Sequence, residues 1–380
     1  MNKVKIGLTG DFCPWGRIEE AYFSNLWQEI MMPAKEMLSK NDYNILDLEC
    51  PLTNNKTKIN KTGPHLKSKP ETAEILKYLN CKHVVTANNH FKDYGYEGMK
   101  ETYKVLESHG VDWIGSGKNI QEASSPFHLE KNGLKIAVLN MTEYEWSISN
   151  HKEPGCNPIN FPRAIKTIQN AKSKDVDFVL VILHGGHEHY PLPSPRMKAQ
   201  FRFMIDAGAD AVVGHHTHII SGYEEYKNKP IFYSLGNFCF DWPNERNGTW
   251  NNGMVLNLEF VKNQHPKYEY IFTEQNNKIA GVKYVELNKK KELDNKLQKL
   301  NETIIDDFRL NQAFDEYIQK FKDIMLTRIQ PYSNKWLVAL HKRGFLPDMM
   351  NSKKKRLIQG LSQNESHREV LLSILSNYNK

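Results

Sequence analysis

Residues 178–190, FVLVILHGGHEHY, begin with six consecutive apolar residues and continue into glycines and histidines. A near-continuous apolar run of this length is typical of a strand that is covered on both faces, as in a layered α/β fold. His184 follows the run and therefore stands at the carboxyl end of the predicted strand. In α/β sheets this edge is where ligands bind, so the stretch indicates both a fold class and a place for a site.

Comparable strand patterns recur through the first 240 residues, with helical patterns between them. The other predicted strands are 4–12, 43–50, 83–90, 135–141, 210–216 and 230–240. The predicted helices between them are 70–80, 98–110, 161–173 and 194–208. Strands that alternate with helices in this way predict an α/β fold.

The remainder of the chain has a different pattern. The stretches 254–261 and 278–287 alternate as antiparallel strands do. From about residue 289 the chain is rich in Lys, Glu, Leu and Gln and mostly helical, with a break near Pro331. We therefore predict a domain at residues 1–288 and a helical C-terminal extension at 289–380.

Composition restricts the class of partner and the compartment. The net charge is +7, and the lysines are interleaved with acids, which favours anionic ligands and argues against a dedicated nucleic-acid surface. No stretch approaches the roughly 18 apolar residues of a membrane span, and the N-terminus lacks signal-peptide features. Five cysteines without paired spacing fit reduced thiols, so we expect no membrane span and a cytoplasmic location.

Five predicted strands end in acidic, amide or imidazole side chains. These residues are Asp11, Glu49, Asn89 with His90, His184, and His216 with His218. Each alone could be a helix cap or a turn residue, but together they indicate a site at one sheet edge. This mixture of residue types suits divalent ions such as Mn²⁺, Fe²⁺ or Zn²⁺ and differs from a structural zinc site. Because the candidates exceed the needs of one ion, two ions that share a carboxylate are the economical arrangement.

Six motifs in this part of the chain together resemble a known family. In order they are GD (10–11), LECPL (48–52), ANNH (87–90), HGGHEHY (184–190), GHHTH (214–218) and SLGNFCFD (234–241). They resemble the CapA family of capsule and poly-γ-glutamate biosynthesis proteins, which is similar to the calcineurin-like metallophosphatases. The resemblance covers about residues 4–260 and implies a four-layer αββα sandwich, to which the C-terminal helical segment is added.

The resemblance also implies a role for each residue at the strand ends. It assigns Asp11 and His218 to one ion, Asn89, His184 and His216 to the other, and Glu49 to the bridge between them. His90 would not be a ligand but would act beside the scissile group, as a general acid or as a cation that stabilises the transition state.

One position departs from the wider superfamily. Its first motif usually reads Asp-x-His, whereas residues 11–13 here read DFC, so Cys13 stands in the place of the histidine. Cys13 is either a poor ligand or a small buried hydrophobic residue. The departure leaves the identity of the first metal open.

Other residues are weaker candidates for the same site. Three of them could contact substrate: Arg17, Lys67 and Glu188. Solvated surface positions are the alternative for Arg17 and Lys67. Asn237 and Asp241 could be hydrogen-bond partners of the histidines, and we expect His215 to be incidental.

Two classes of function fit these patterns. The first is a dinuclear metal-dependent hydrolase of the phosphoesterase type, which acts in the synthesis of capsule or a poly-γ-glutamate-type polymer. The second is a non-catalytic, metal-stabilised accessory module that binds an acidic polymer beside a synthase. In both cases the expected ligand is an anionic small molecule or polymer, the expected cofactors are two divalent ions, and proteins of polymer synthesis are possible partners.

Overall fold

The computed structural model describes residues 2–150, 152–329, 335–346 and 351–377. The predicted break near Pro331 lies outside these ranges. The chain divides into two compact units: unit 1 is Met1–Ile59 with His65–Leu310, and unit 2 is Asn60–Pro64 with Asn311–Lys380. Unit 1 therefore continues past residue 288, and the division predicted there stays a prediction.

The strands of the described residues all lie in unit 1. They are β1 (Lys3–Cys13), β2 (Tyr43–Leu48), β3 (His83–Val85), β4 (Asp112–Ile114), β5 (Ser116–Gly117), β6 (Phe127–Lys131), β7 (Leu134–Thr142), β8 (Gly155–Cys156), β9 (Phe178–His184), β10 (Ala211–His215), β11 (Tyr223–Tyr226), β12 (Lys229–Phe232), β13 (Asn237–Phe240), β14 (Asn252–Val261), β15 (Lys267–Gln275) and β16 (Val282–Tyr284). One sheet has the order β16-β15-β14-β1-β2-β3-β4, with β13 also paired to β1, and a second has the order β11-β12-β10-β9-β7-β6.

The helices surround these sheets in unit 1 and make up the regular structure described in unit 2. They are α1 (Arg17–Phe23), α2 (Trp27–Leu38), α3 (Ala73–Tyr78), α4 (Gly95–Ser108), α5 (Ile120–Ala123), α6 (Phe161–Lys172), α7 (Pro195–Asp206), α8 (Leu287–Ile305), α9 (Asp307–Ile329), α10 (Lys335–Lys342), α11 (Ser352–Gln363) and α12 (Glu365–Asn377). Among the described helices, none combines the length and the apolar character that crossing a bilayer requires. The predicted helical character of the C-terminal part is confirmed over the described residues.

The two large sheets pack face to face, because alternate residues of both enter one apolar core. Ile6 and Leu8 of β1 share that core with Leu180 and Ile182 of β9. On the far side of the first sheet, α1 to α4 bury a second core that includes Leu46 of β2. The far side of the second sheet is covered by α6 on β9 and by α7 on β10. The order helix, sheet, sheet, helix confirms the predicted four layers.

Two strand predictions are corrected by the pairing. The predicted strand 230–240 is two strands: β12 belongs to the second sheet, whereas β13 pairs with β1 of the first. The chain changes sheets at Gly236, whose φ of 69° suits glycine. The predicted strand 278–287 is reduced to β16, and β15 was not predicted. In β15, charged residues alternate with aromatic ones. The charged residues on one face made this half-buried strand look polar in the sequence, so it was not predicted.

A close approach of two backbones brings Asp11 to its place. A Cβ atom at Gly10 would lie 1.8 Å from the carbonyl oxygen of Gly236. The backbone N–H of Asp11 donates to that same carbonyl at 3.0 Å. Glycine at position 10 therefore allows β1 and β13 to meet directly before the first acidic residue of the site.

Candidate metal centre

The carboxyl ends of four parallel strands deliver the candidate site. Asp11 lies near the end of β1, Asp47 lies in β2, and Glu49 follows β2 directly. His184 is the last residue of β9 and His215 the last of β10. In each sheet the residues are neighbours, since Asp11 is the Cα partner of Asp47 and His184 is the Cα partner of His215. Both sheets therefore contribute side chains to one edge.

One group of potential ligands gathers around His184. Its Nε2 atom lies 3.0 Å from Asn89 Oδ1, 3.2 Å from His216 Nδ1 and 3.6 Å from Glu49 Oε1. Its Nδ1 atom lies 2.8 Å from Asp47 Oδ2, where the imidazole can donate its proton. A ring that donates from Nδ1 turns Nε2 toward two acceptor oxygens and another imidazole, which is an arrangement that a cation satisfies.

A second group gathers around His218. Its Nδ1 atom lies 3.1 Å from Asp11 Oδ2, 3.1 Å from Asn237 Oδ1 and 3.7 Å from Glu49 Oε2. Asn237, predicted as a partner of the histidines, therefore does contact one of them. Although burial opposes it, the hydrogen bond to Asp11 raises the pKa of His218.

Glu49 lies between the two groups, with one oxygen toward each. Its side chain is completely buried, and no hydrogen-bond donor of the structure satisfies either oxygen. Burial raises the pKa of Glu49 well above its usual range, and the nearby charges of Asp11 and Asp47 raise it further. A buried carboxylate without donors is costly, and two divalent cations would satisfy both of its oxygens.

The donor set therefore fits the implied cofactor. Two groups of potential metal-holding residues share Glu49: Glu49 with His184 and His216, and Asp11 with Glu49 and His218. Burial lowers the pKa of His216, and neighbouring His184 lowers it further, to about 3. A neutral imidazole is the form that ligates a metal ion.

The loop after β10 holds its histidines in unusual backbone conformations. His216 has a φ of 93° and His218 a φ of 60°, both in the left-handed region that residues with side chains rarely adopt. Such conformations cost on the order of 1–3 kcal/mol each and cluster at functional sites. These two strained backbone positions, His216 and His218, thus belong to residues of the candidate centre.

Two residues of the cluster were missed or misjudged from the sequence. The structure corrects the expectation that His215 is incidental, because its Nδ1 lies 3.2 Å from Asp11 Oδ1 and 3.8 Å from Asp47 Oδ2. These three residues form a further group with metal-holding spacing. Asp47 was detectable, since it precedes Glu49 by two positions and so shares a face of an extended strand.

His90 is held by a carboxylate that the sequence analysis also missed. The Nδ1 atom of His90 lies 2.7 Å from Asp93 Oδ2, and both side chains are buried. The backbone N–H of His90 donates to Asn88 Oδ1 at 3.1 Å. With Nδ1 engaged by Asp93, Nε2 is the atom of His90 that can exchange a proton with a ligand.

Glu188 lies on the solvent side of the histidines. It is exposed, whereas His216, His218 and His90 are buried. Partial burial tends to raise the pKa of Glu188, but the charges of these histidines outweigh it and lower the pKa to about 2. Glu188 thus feels the charges of these histidines, and its contact with substrate stays a prediction.

Arg17 and Lys67 are engaged in local contacts. The Arg17 guanidinium pairs with Asp241 through Nη2 at 2.7 Å and Nε at 3.0 Å, and its Nη2 also donates to the carbonyl of Asn276. Lys67 Nζ donates to the carbonyl of Asn55 at 2.6 Å. These contacts account for both side chains, and the roles of Arg17 and Lys67 toward substrate stay predictions. Asp241 holds Arg17 rather than one of the histidines.

Cys13 is buried in the core between the first sheet and its helices. Burial raises the pKa of its thiol well above the usual range, as does its contact with Cys50. Among the described residues, none of the groups with metal-holding spacing includes Cys13. The observations agree with the second alternative for Cys13, a small buried hydrophobic residue.

Comparison with known proteins identifies relatives of the chain. Residues 5–242 match the family model of the bacterial capsule synthesis protein PGA_cap. The chain is 36% identical over 242 residues to the PGA biosynthesis protein CapA of Bacillus subtilis, a match that covers 63% of each protein. It is 32% identical over 247 residues to the capsule biosynthesis protein CapA of Bacillus anthracis, which covers 63% of the chain and 60% of that relative. The chain thus spans about three fifths of the length of these relatives.

Similar solved structures include a calcineurin-like phosphoesterase and a 5'-nucleotidase precursor. The calcineurin-like phosphoesterase YfkN of Bacillus subtilis is 13% identical, with a TM-score of 0.42 and coverage of 83% of the chain and 97% of that structure. A 5'-nucleotidase precursor of Thermus thermophilus is 12% identical, with a TM-score of 0.43 and coverage of 85% and 60%.

Proposed function

The chain belongs to the bacterial capsule synthesis protein family PGA_cap, and on that premise we propose that it is a dinuclear metal-dependent hydrolase that acts on an anionic substrate in polymer synthesis. The B. subtilis relative is named for PGA biosynthesis, and the B. anthracis relative is named for capsule biosynthesis. The proposed reaction is hydrolysis of a phosphoester or of another electrophile that the same site can polarise.

The observation that carries this proposal is the buried Glu49 carboxylate with one unsatisfied oxygen toward each of two ligand groups. Asp11 and His218 would hold one ion, and Asn89, His184 and His216 the other. Ions bound there would supply Lewis-acid polarisation of a phosphoryl oxygen and an activated water.

The chain's own residues supply proton transfer and orientation. Asp93 fixes the ring of His90 through Nδ1, so that His90 can present Nε2 to the leaving-group oxygen and donate a proton to it. Asp47 orients His184 in the same manner. Glu188, at the solvent side, would accept hydrogen bonds from hydroxyl or amide groups of the substrate.

The test is turnover with metal-loaded protein. We expect hydrolysis of a chromogenic phosphodiester or monoester after loading with Mn²⁺, and metal content near two ions per chain. His90→Ala should lower kcat by about 10²–10⁴-fold, as for a lost acid–base group, with unchanged metal content.

His128→Ala, which removes an exposed imidazole on β6, is the matched control and should leave kcat unchanged. Protein that binds the ions but stays inert on both ester classes would contradict the phosphoesterase proposal. If the kcat of His90→Ala equals that of the unchanged chain, His90 has no role as the proton donor of the proposed reaction.

A second candidate function has its own support. A relative in Mycobacterium tuberculosis, 25% identical over 185 residues, is named a probable polyglutamine synthesis accessory protein. In this alternative the chain binds acidic polymer without turning it over. An Asp11→Asn/His184→Ala double variant distinguishes the two: retained binding of poly-γ-glutamate without metal favours the accessory role, and loss of both binding and turnover favours the enzyme.

A further inference from the structure

Two arms of one loop in unit 1 carry four lysines and no acidic residue. The arms are residues 54–59 and 65–69, which together we call the basic loop; it excludes residues 60–64, which belong to unit 2. The arms read NNKTKI and HLKSK, which gives a formal charge of +4. Many lysine-rich stretches are only solvated surface, but the contacts of this one point to a further role.

Both arms are fixed to Asp93, the residue that orients His90. In the first arm, the backbone N–H of Ile59 donates to the carbonyl oxygen of Asp93 at 3.0 Å. In the second arm, the backbone N–H of Leu66 donates to Asp93 Oδ2 at 2.7 Å. The same Oδ2 atom lies 2.7 Å from His90 Nδ1. The basic loop is therefore anchored beside the proposed proton donor.

The ammonium groups of the basic loop have no carboxylate partners. Lys67 Nζ donates to a backbone carbonyl at 2.6 Å, and Lys69 Nζ donates to the amide oxygen of Asn54 at 3.3 Å. Lys56 and Lys58 are exposed. Within the part of the chain that the structure describes, none of these four lysines forms an ion pair. Their charges are therefore available to an anionic ligand.

The carboxylates that contact the arms are used by the backbone. Glu19 accepts the backbone N–H of Lys69 at 2.9 Å, and Glu101 accepts that of Asn54 at 3.1 Å. Partial burial lowers the pKa of Lys67, and the charge of Lys69 lowers it further, against the opposite effect of Glu101 and Glu19. The lysines thus repel one another, and a ligand with several anionic groups would relieve this repulsion.

We propose that the basic loop binds the repeated carboxylates of an acidic polypeptide and thereby holds that polymer beside His90. The place of the polymer at the reacting site rests on the proposed function, whereas its binding to the loop does not. An exposed lysine–carboxylate pair is weak alone, but a polymer that reaches several lysines binds through all of them together.

The composition of the basic loop favours a polycarboxylate over other polyanions. The arms contain no Phe, Tyr or Trp on which nucleic-acid bases could stack, and no Arg for bidentate contact with phosphate. Among the described residues, none of the exposed large apolar side chains lies in either arm, so the loop lacks the contact by which interfacial segments enter a membrane. Lysines are flexible point charges, which suits carboxylates at variable spacing.

The first test is binding of fluorescently labelled poly-L-glutamate to the full chain without metal. Fluorescence anisotropy should detect binding at low ionic strength that weakens as salt is raised, since exposed charges are screened. Substitution of Lys56, Lys58, Lys67 and Lys69 by Gln should weaken this binding by at least about tenfold. Lys56→Gln/Lys58→Gln changes only exposed side chains, and should still weaken it by at least about threefold if the fourfold variant loses stability.

The matched control removes the same formal charge from α8 of unit 1. It substitutes Gln for Lys289, Lys290, Lys291 and Lys299. Two of these lysines are paired with acids of the same helix, at 2.9 Å and 3.4 Å. The control should keep the affinity within about twofold. Equal weakening in both fourfold variants would reduce the effect to net charge and overturn the proposal. So would tighter loop-dependent binding of a single-stranded oligonucleotide of equal charge.

The second test locates the bound polymer by NMR of histidine-labelled protein. Poly-L-glutamate should shift the imidazole signals of His90, which His90→Ala identifies, and leave those of the exposed His128 of β6 unchanged. Loop-dependent binding with unshifted His90 signals would place the polymer elsewhere and overturn the proposal. None of these measurements needs metal or turnover, so protein that binds the polymer in this way but hydrolyses no ester would contradict only the proposed reaction.

Discussion

At the scale of single residues, the candidate centre is defined by carboxylates that are buried without enough donors. Asp11, Asp47 and Glu49 are each at most 1% exposed and lie around the same point. Burial and like charge both raise the free energy of the charged cluster. His215 and His218 offset part of this cost at Asp11, whereas nothing on the described chain donates to Glu49.

Glu49→Gln separates the metal-binding role of this carboxylate from a structural one. Without metal, the change should leave the free energy of unfolding equal or higher, because it removes a buried ionisable group whose charged form has no donor. With Mn²⁺, it should weaken ion binding by at least about tenfold in calorimetry. Glu292→Gln, at an exposed residue of α8, should alter neither quantity. Unchanged Mn²⁺ affinity in Glu49→Gln would exclude the bridging role.

At the scale of elements, a buried ionic network ties α7 to the second sheet. The Nη2 atom of Arg202 in α7 lies 2.5 Å from the Oε2 atom of Glu224 in β11. The Glu224 residue is almost fully buried. Tyr233, directly after β12, donates to the same carboxylate at 2.6 Å. The hydrogen bond to Glu224 raises the pKa of Arg202, so the guanidinium stays charged.

Arg202→Met should therefore destabilise unit 1 without touching the metal centre. Removal of the cation leaves the buried Glu224 with the Tyr233 hydroxyl but without its guanidinium partner, which we expect to lower the free energy of unfolding by about 3 kcal/mol. The matched control is Lys227→Met: its exposed ion pair with Asp206 of α7 should contribute less than about 1 kcal/mol. Chemical denaturation measures the free energy of unfolding of both variants. A similar loss of stability in Arg202→Met and Lys227→Met would contradict the prediction that the Arg202 pair contributes more.

At the scale of the whole of unit 1, the candidate centre joins the two sheets. Asp11 and Glu49 come from the first sheet, and His184, His216 and His218 come from the second or from the loop that follows it. An ion held by residues of both sheets would oppose their separation at this edge. Metal binding and folding of unit 1 should thus be coupled.

This coupling predicts stabilisation by metal. Free Mn²⁺ at a hundred times its Kd should raise the free energy of unfolding by about 2.7 kcal/mol per site, and a chelator should reverse the effect. Hydrogen exchange should show the added protection at the ends of β1, β2, β9 and β10. A thermal midpoint that does not depend on Mn²⁺, although calorimetry detects Mn²⁺ binding, would contradict the prediction.

The class of the fold and most of the candidate centre follow from local sequence patterns. Apolar runs such as 178–183 predict buried strands because burial on both faces requires apolar residues at consecutive positions. Parallel strands bring their carboxyl ends to one edge, so the polar residues after them were expected to meet. Asp11, Glu49, Asn89, His184, His216 and His218 do lie together in the structure.

The tertiary structure alone determined which side chains those residues contact. Asp47 and His184 are 137 residues apart, and Arg17 and Asp241 are 224 apart. Such pairs depend on the register of neighbouring strands and on the packing of one sheet against the other, and no local period encodes either. For the same reason the chain's change of sheets at Gly236 and the place of His215 beside Asp11 emerged only from the folded chain.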